Sequence, residues 1–172
     1  MIEFDAMREI LRLKQEIMDG NSTEAIKLAS LLCTMCRQDR LDLIENFLSL
    51  AISRLIVIQI NREQINMTHL QELQNALIEI QKKNRLGETL FYVEADEWES
   101  IYERAVPWGL LIALETAEIL DGTELKELEA IIDFKELKNE THKLIRLTYN
   151  FNIYEIHKYL YSNWLDRQMY RN

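Results

Sequence analysis

Four glycines and one proline, Pro107, serve all 172 residues of this chain. Hairpins and tight turns depend on these two residue types, because glycine takes positive φ and proline presets it. A sheet protein of this length needs them at regular spacing. So few of them leave long elements joined by short polar loops, which means helices. The residues are 48% apolar and 28% charged, enough to build a core and too apolar for a disordered chain. One core is the expectation at this length. The expected fold is therefore all-α: one domain over 1–172, a helical bundle of about seven or eight helices.

Periodicity along the chain agrees. Phe4, Met7, Leu11 and Met18 share a helical stripe that ends at Asp19-Gly20. Asn21 with Glu24 suggests a capping box for a second helix carrying Leu28, Leu32 and Met35. A polar break is expected from Arg37 to Asp39. A third helix then follows through Leu41, Ile44, Leu48, Ile52 and Leu55, and becomes apolar all round up to Ile60. A helix apolar on every side belongs at the centre of a bundle, so the segment near 41–60 is expected there. The β-branched run Ile56-Val57-Ile58 continues this period and reads as helix.

Thr68 with Gln71 resembles a further capping box, and Leu86-Gly87 marks the end of that helix. Leu90 to Val93 is short enough to be extended. Asp96 is the expected N-cap of the helix carrying Trp98, Ile101, Tyr102 and Ala105. Pro107 then implies a kink or a new helix, and Asp121-Gly122 a stop. Asp133 with Glu136 and Asn152 with Glu155 are the caps expected for the last two helices. No linker or repeat divides the chain.

Motifs for chemistry are sparse. Cys33-Thr34-Met35-Cys36 has the spacing of a metal or redox pair. A structural zinc site needs two more ligands, and no second pair is present, so buried or half-buried free thiols are expected. His69, His142 and His157 lie far apart, and none completes a Glu-x-x-His pair. His69 and Glu72 read as a solvated polar pair. No phosphate loop, serine elbow or dinucleotide fingerprint is present. No catalytic residue, cofactor or metal ligand is therefore assigned.

The formal charge of −9 opposes binding to a phosphate backbone, and its distribution is more informative. Residues 88–136 hold fourteen acids against three bases. Glu94, Asp96, Glu97, Glu99 and Glu103 surround Trp98 and Tyr102, an acidic and aromatic combination suited to a basic protein partner. These seven residues are the candidate partner-binding set. The C-terminal segment mixes Lys143, Arg146 and Lys158 with Tyr149, Phe151, Tyr154, Tyr159, Tyr161, Trp164 and Tyr170, expected as core and interface rather than a base-stacking platform. The first residues include Glu3, Asp5, Arg8 and Glu9, and the apolar run Ala105 to Leu114 falls short of the ~20 residues of a membrane span. A cytoplasmic protein with no membrane role is expected.

Three features together resemble domain-of-unknown-function family 29, an uncharacterised all-α bacterial family: the helix Glu24 to Cys36, the run Leu50 to Gln59, and Asp96-Glu97-Trp98 before Ala105. The resemblance runs from about Glu24 to Ile145 and implies a helical fold. At the family's central His-Leu-Leu/Ile-Lys pattern this chain carries Arg54 and Val57, and Leu70 stands where a tryptophan is expected. No polar site residue therefore carries across. The functional expectation is a non-catalytic helical protein–protein interaction module with an acidic contact surface. The alternative is an enzyme or cofactor-binding bundle using Cys33, Cys36 or His69. A homo-oligomer is also open, because Trp98, Trp108 and Trp164 crowd a single core.

Overall fold

The computed structural model of the chain describes residues 6–61, 66–86, 90–116 and 125–169, with side chains over 8–61, 66–86, 90–115 and 125–162. Seven helices occur among them: α1 (Ala6–Met18), α2 (Ser22–Ile60), α3 (Met67–Asn84), α4 (Trp98–Thr116), α5 (Leu125–Ile131), α6 (Phe134–Asn150) and α7 (Ile153–Met169). The only extended pairing among the described residues is an isolated antiparallel bridge between Arg85 and Phe91, within reach of the expected extended segment Leu90 to Val93. The fold is an all-α helical bundle. Phe4, Gly87, Asp121, Gly122 and the side chains of Trp164 and Tyr170 lie outside the described residues.

The helices group into two compact units, Met1–Asp42 and Leu43–Asn172. In the first, α1 ends where Gly20 takes φ 76°, a left-handed conformation that costs glycine nothing. The Gly20 amide donates to the Ile17 carbonyl at 3.2 Å and the Asn21 amide to the Glu16 carbonyl at 2.9 Å, a Schellman closure. The Asn21–Glu24 box does not form. Instead the Asn21 side chain donates to the Glu16 carboxylate, and Glu24 pairs with Arg12 and Lys27.

The expected break at Arg37 to Asp39 is absent, and α2 runs unbroken for 39 residues. Arginine and glutamine are good helix formers, and polarity without glycine or proline does not stop a helix. Gln38 reinforces the turn by donating to Asp42 at 2.7 Å.

In the second unit, the α2 stretch from Ile44 to Ile58 is the core. Ile44, Leu48, Ile52, Ile56 and Ile58 are all buried, with Ala51, Leu55 and Val57 between them. Three helices reach it. Arg54 meets Glu72 of α3 at 2.6 Å, Glu45 meets Arg104 of α4 at 2.8 Å, and the Gln59 amide donates to Glu136 of α6 at 3.0 Å. By length and composition α2, rather than Ala105 to Leu114, is the one described helix apolar enough to cross a membrane, yet 61% of that apolar window is buried inside the protein. A core helix covered by its neighbours meets the same criterion.

Pro107 neither ends α4 nor starts a new helix. It sits on the exposed side, where water solvates the carbonyl its missing N–H leaves free, while the opposite face is held in place. That face carries Ala105 and Ala113, both buried, with Gly109 between them at four-residue spacing. A Cβ on Gly109 would lie 2.6 Å from Ile52 Cγ2 and 3.1 Å from the Ser49 carbonyl oxygen. The backbone of α4 thus lies directly on the central helix.

Side-chain caps open α3, α6 and α7. Asp133 accepts from the Glu136 amide at 3.0 Å, and Asn152 and Glu155 exchange both bonds of a capping box at 2.9 and 3.0 Å. The α3 cap is Asn66, which accepts from the Thr68 amide, so the expected Thr68 cap moves two residues upstream. At α4 no cap from Asp96 forms; the Glu97 carboxylate instead accepts from the Glu94 amide at 2.9 Å, closing the turn that precedes the helix. The Gly109→Ala variant should lose about 1–3 kcal/mol through overpacking, with a fall in Tm of about 2–4 °C per kcal/mol. Unchanged thermal unfolding would contradict the close approach of α4 to Ile52.

Candidate interaction surface

The seven candidate partner-binding residues separate into core and surface. Trp98 and Tyr102 are buried at 2% and 6% exposure, so neither lies on an acidic and aromatic surface as the spacing suggested. The sequence pattern places them beside the acids, but a helix turns 100° per residue, and the aromatics face inward. Glu94, Asp96 and Glu103 are exposed, while Glu97 and Glu99 are half-buried.

Trp98 anchors a buried polar network that ties the segment before α4 to α3 and α6. Its indole N–H donates to the Tyr149 hydroxyl at 2.5 Å, which donates in turn to the Val93 carbonyl at 2.6 Å. The Val93 amide donates to Asn84 Oδ1 at 2.7 Å, and the Tyr92 amide to the Asn84 carbonyl. Phe91 packs on the Tyr149 ring at 4.5 Å, and Trp98 meets it edge-on at 6.4 Å. Burial pushes the Tyr149 hydroxyl pKa up, against the lowering effect of its bonds to Trp98 and Asn84. These groups satisfy one another in the interior, which is a structural role.

Glu99 belongs to a second cluster, bridging α4 and α6. Its carboxylate pairs with Lys138 and lies 3.4 Å from His142 Nε2. The His142 ring packs against Tyr102 at 5.5 Å. Burial, with a smaller contribution from Glu99, pushes the Tyr102 hydroxyl up to about 12. Burial holds His142 below its ordinary value; Glu99 opposes this, while Lys138 and Arg146 reinforce it. Lys138 and His142 carry no local sequence signal as partners of Glu99, because they lie 39 and 43 residues further along the chain.

The outward face of α4 gathers what the sequence left apart. Ser100, Glu103, Arg104, Pro107, Trp108, Leu111 and Glu115 are all exposed, and their spacing of three and four residues makes them one face. Trp108 is 61% exposed and Leu111 42%. Glu103 and Glu115 flank this apolar strip, and Arg104 is engaged with Glu45. Exposed acids and a tryptophan thus share this face, but the tryptophan is Trp108, which the expected set did not include.

Other candidates change their setting. Cys33 and Cys36 are free and exposed on α2, not buried or half-buried, because no residue of α2 from 29 to 43 is buried. Among the described residues no group of three or more His, Cys, Asp or Glu side chains is placed to hold a metal ion. His69 and Glu72 are not a solvated pair on their own. Glu72 is the counterion of Arg54, whose side chain is 8% exposed, and His69 Nδ1 lies 3.6 Å from the same carboxylate. In α7 the His157 and Tyr161 rings stack at 4.0 Å, and Lys143 lies over the Tyr159 ring.

The network and the cluster each generate a test. Tyr149→Phe strands the Val93 carbonyl and leaves the Trp98 N–H without an acceptor, at a cost of about 1–3 kcal/mol in urea unfolding; a neutral result would contradict the network. For His142 the folded pKa lies below the unfolded one, so its contribution is fully present above about 6.5 and is lost as pH falls below that value. The His142→Gln variant should therefore lose less stability than the wild type as pH drops from 7 towards 5. Parallel pH profiles would exclude this assignment.

Comparisons with protein-family models, with curated proteins and with solved structures find no match for this chain.

Proposed function

We propose that this chain is a non-catalytic helical module that binds a basic protein partner through the outward face of α4. The observation that carries the reading is Trp108, a large aromatic side chain 61% exposed in the middle of that face. Tryptophan is the side chain most often found to dominate interface energetics, and an exposed one flanked by leucine marks a contact site better than a scatter of acids does. Glu103 and Glu115 lie along the same face, within the stretch 88–136 with its fourteen acids and three bases. Such a field attracts cations and steers their approach. Exposed Glu94 and Asp96 extend it on the N-terminal side of the helix.

The chemistry fits a partner segment with an apolar anchor for Trp108 and Leu111 and flanking lysine or arginine. It disfavours nucleic acid, whose phosphates the same field repels. We place the module in the cytoplasm, where exposed Cys33 and Cys36 remain thiols. The resemblance to the family of unknown function adds only a helical fold to this reading.

The test compares capture of proteins from an extract of the source organism by wild type, Trp108→Ala and the double variant Glu103→Lys/Glu115→Lys. These side chains are exposed, so melting temperatures should be unchanged. Glu97 and Glu99 are left intact because one closes the turn before α4 and the other pairs with Lys138. A basic protein retained by wild type should be lost from the alanine variant, with a cost of about 2 kcal/mol or more for a hot-spot residue. The charge reversal should weaken capture most at low salt. Equal retention by all three proteins would overturn the proposal.

A further inference from the structure

The stretch of α2 from 29 to 43 contains no buried residue, so its helical turns rest on their own hydrogen bonds. Cys33 and Cys36 lie in the middle of it, both free and exposed. At about 100° per residue they sit about 60° apart on one face, one turn apart along the axis. Two thiols placed in this way form a dithiol, and the geometry of the helix decides what such a pair can hold.

We infer that Cys33 and Cys36 together bind one copper(I) ion across this turn of α2. Residues three apart on a helix have Cβ atoms about 5–6 Å apart, whereas a disulfide needs about 3.5–4.5 Å. The helix therefore holds the sulfurs too far apart for a direct bond unless it unwinds. Two metal–sulfur bonds bridge the distance that one sulfur–sulfur bond does not. Thiolates select soft ions, copper(I) and zinc among them. Zinc in a structural site takes four ligands, and among the described residues no third His, Cys, Asp or Glu joins the pair. Copper(I) is satisfied by two thiolates, so the ligand count selects it.

Binding releases one proton from each thiol to solvent and transfers no electron, because the metal enters as copper(I). Two thiolates and one monovalent cation leave a single negative charge. Arg37 follows Cys33 by four residues and Arg40 follows Cys36 by four, the spacing at which helix side chains meet. Asp39, three residues after Cys36, is the one acid at such a spacing. The local balance thus favours an anionic complex, in a chain whose net charge of −9 otherwise opposes one. Chelation also ties together one turn of a stretch without packing, and a helix of that length is marginal in water. A bound ion therefore stabilises it.

Copper(I) presented to the full chain without oxygen, as its coloured bicinchoninate complex, tests this. The wild type should withdraw one copper per chain and bleach the complex. Cys33→Ser and Cys36→Ser should each bind about 100-fold more weakly or worse, since the second, intramolecular bond is lost. Position separates a helical chelate from any two thiols. The double variant Cys36→Ser/Arg37→Cys keeps both thiols on one face at four-residue spacing and should retain copper. Cys36→Ser/Met35→Cys turns them about 160° apart and should behave like a single variant. Amide exchange over residues 33–40 should slow when copper binds the wild type. Equal copper retention by the wild type and every variant, or binding that leaves this exchange unchanged, would overturn the inference. So would a Cys33–Cys36 disulfide formed in a glutathione redox buffer, which would assign the pair to redox chemistry. One zinc ion holding two chains together, at twice 20.5 kDa, would likewise replace it with a shared four-thiolate site.

Discussion

A helix buried on every side must be covered by its neighbours around its whole circumference, and residues 51–58 of α2, all buried, impose that demand on the larger unit. Each fully buried isoleucine or leucine there contributes roughly 1.5–3 kcal/mol over exposure, so covering the whole circumference is the dominant gain. Helices α3, α4 and α6 each reach it, and the residue types at the contacts follow from how near each comes. Where α4 crosses, Gly109 lets backbone meet Ile52 and Ser49, with Ala105 and Ala113 on either side. Where α3 crosses, α2 presents Arg54, and a buried guanidinium requires the carboxylate of Glu72.

The seating of α4 on α2 determines which of its residues are available for function. With Ala105, Gly109 and Ala113 turned inward, Pro107, Trp108 and Leu111 must turn outward. Trp98 and Tyr102, one to two turns earlier, fall on the inner side and join the interior with Tyr149 and His142. The same rotation explains why Pro107 is tolerated, since its lost hydrogen bond lies on the wet side of the helix. A helix that packs through small residues thus displays its large ones, and the acids at Glu103 and Glu115 give that display its sign.

Much of the fold was legible from residue types alone. Scarce glycine and proline exclude a hairpin-rich sheet, and the 3.6-residue period locates the central helix correctly. The caps at Asp133 and Asn152 were readable because both halves of each motif lie within four residues. What misled was local polarity. Arg37 to Asp39 reads as a loop by charge, yet Arg37 and Gln38 favour a helix and none of the three is a glycine or proline that would stop one. Acids around Trp98 suggest a surface, yet the aromatic ring follows the helix phase and faces inward. The Asn84–Val93–Tyr149–Trp98 network was not legible, because it joins residues up to 65 positions apart. Gly109 had a signal in the Ala-x-x-x-Gly-x-x-x-Ala spacing, whose small residues permit close helix approach.

The sorting of two tryptophans, Trp98 into the core and Trp108 onto the outward face of α4, is the claim on which the functional account rests. Acrylamide quenching of variants that each retain one of these tryptophans, with the others changed to phenylalanine, measures it directly. Trp108 should give red-shifted, readily quenched emission and Trp98 blue-shifted, protected emission. A protected Trp108 beside an accessible Trp98 would contradict it, returning the aromatic contact to the N-terminal end of α4.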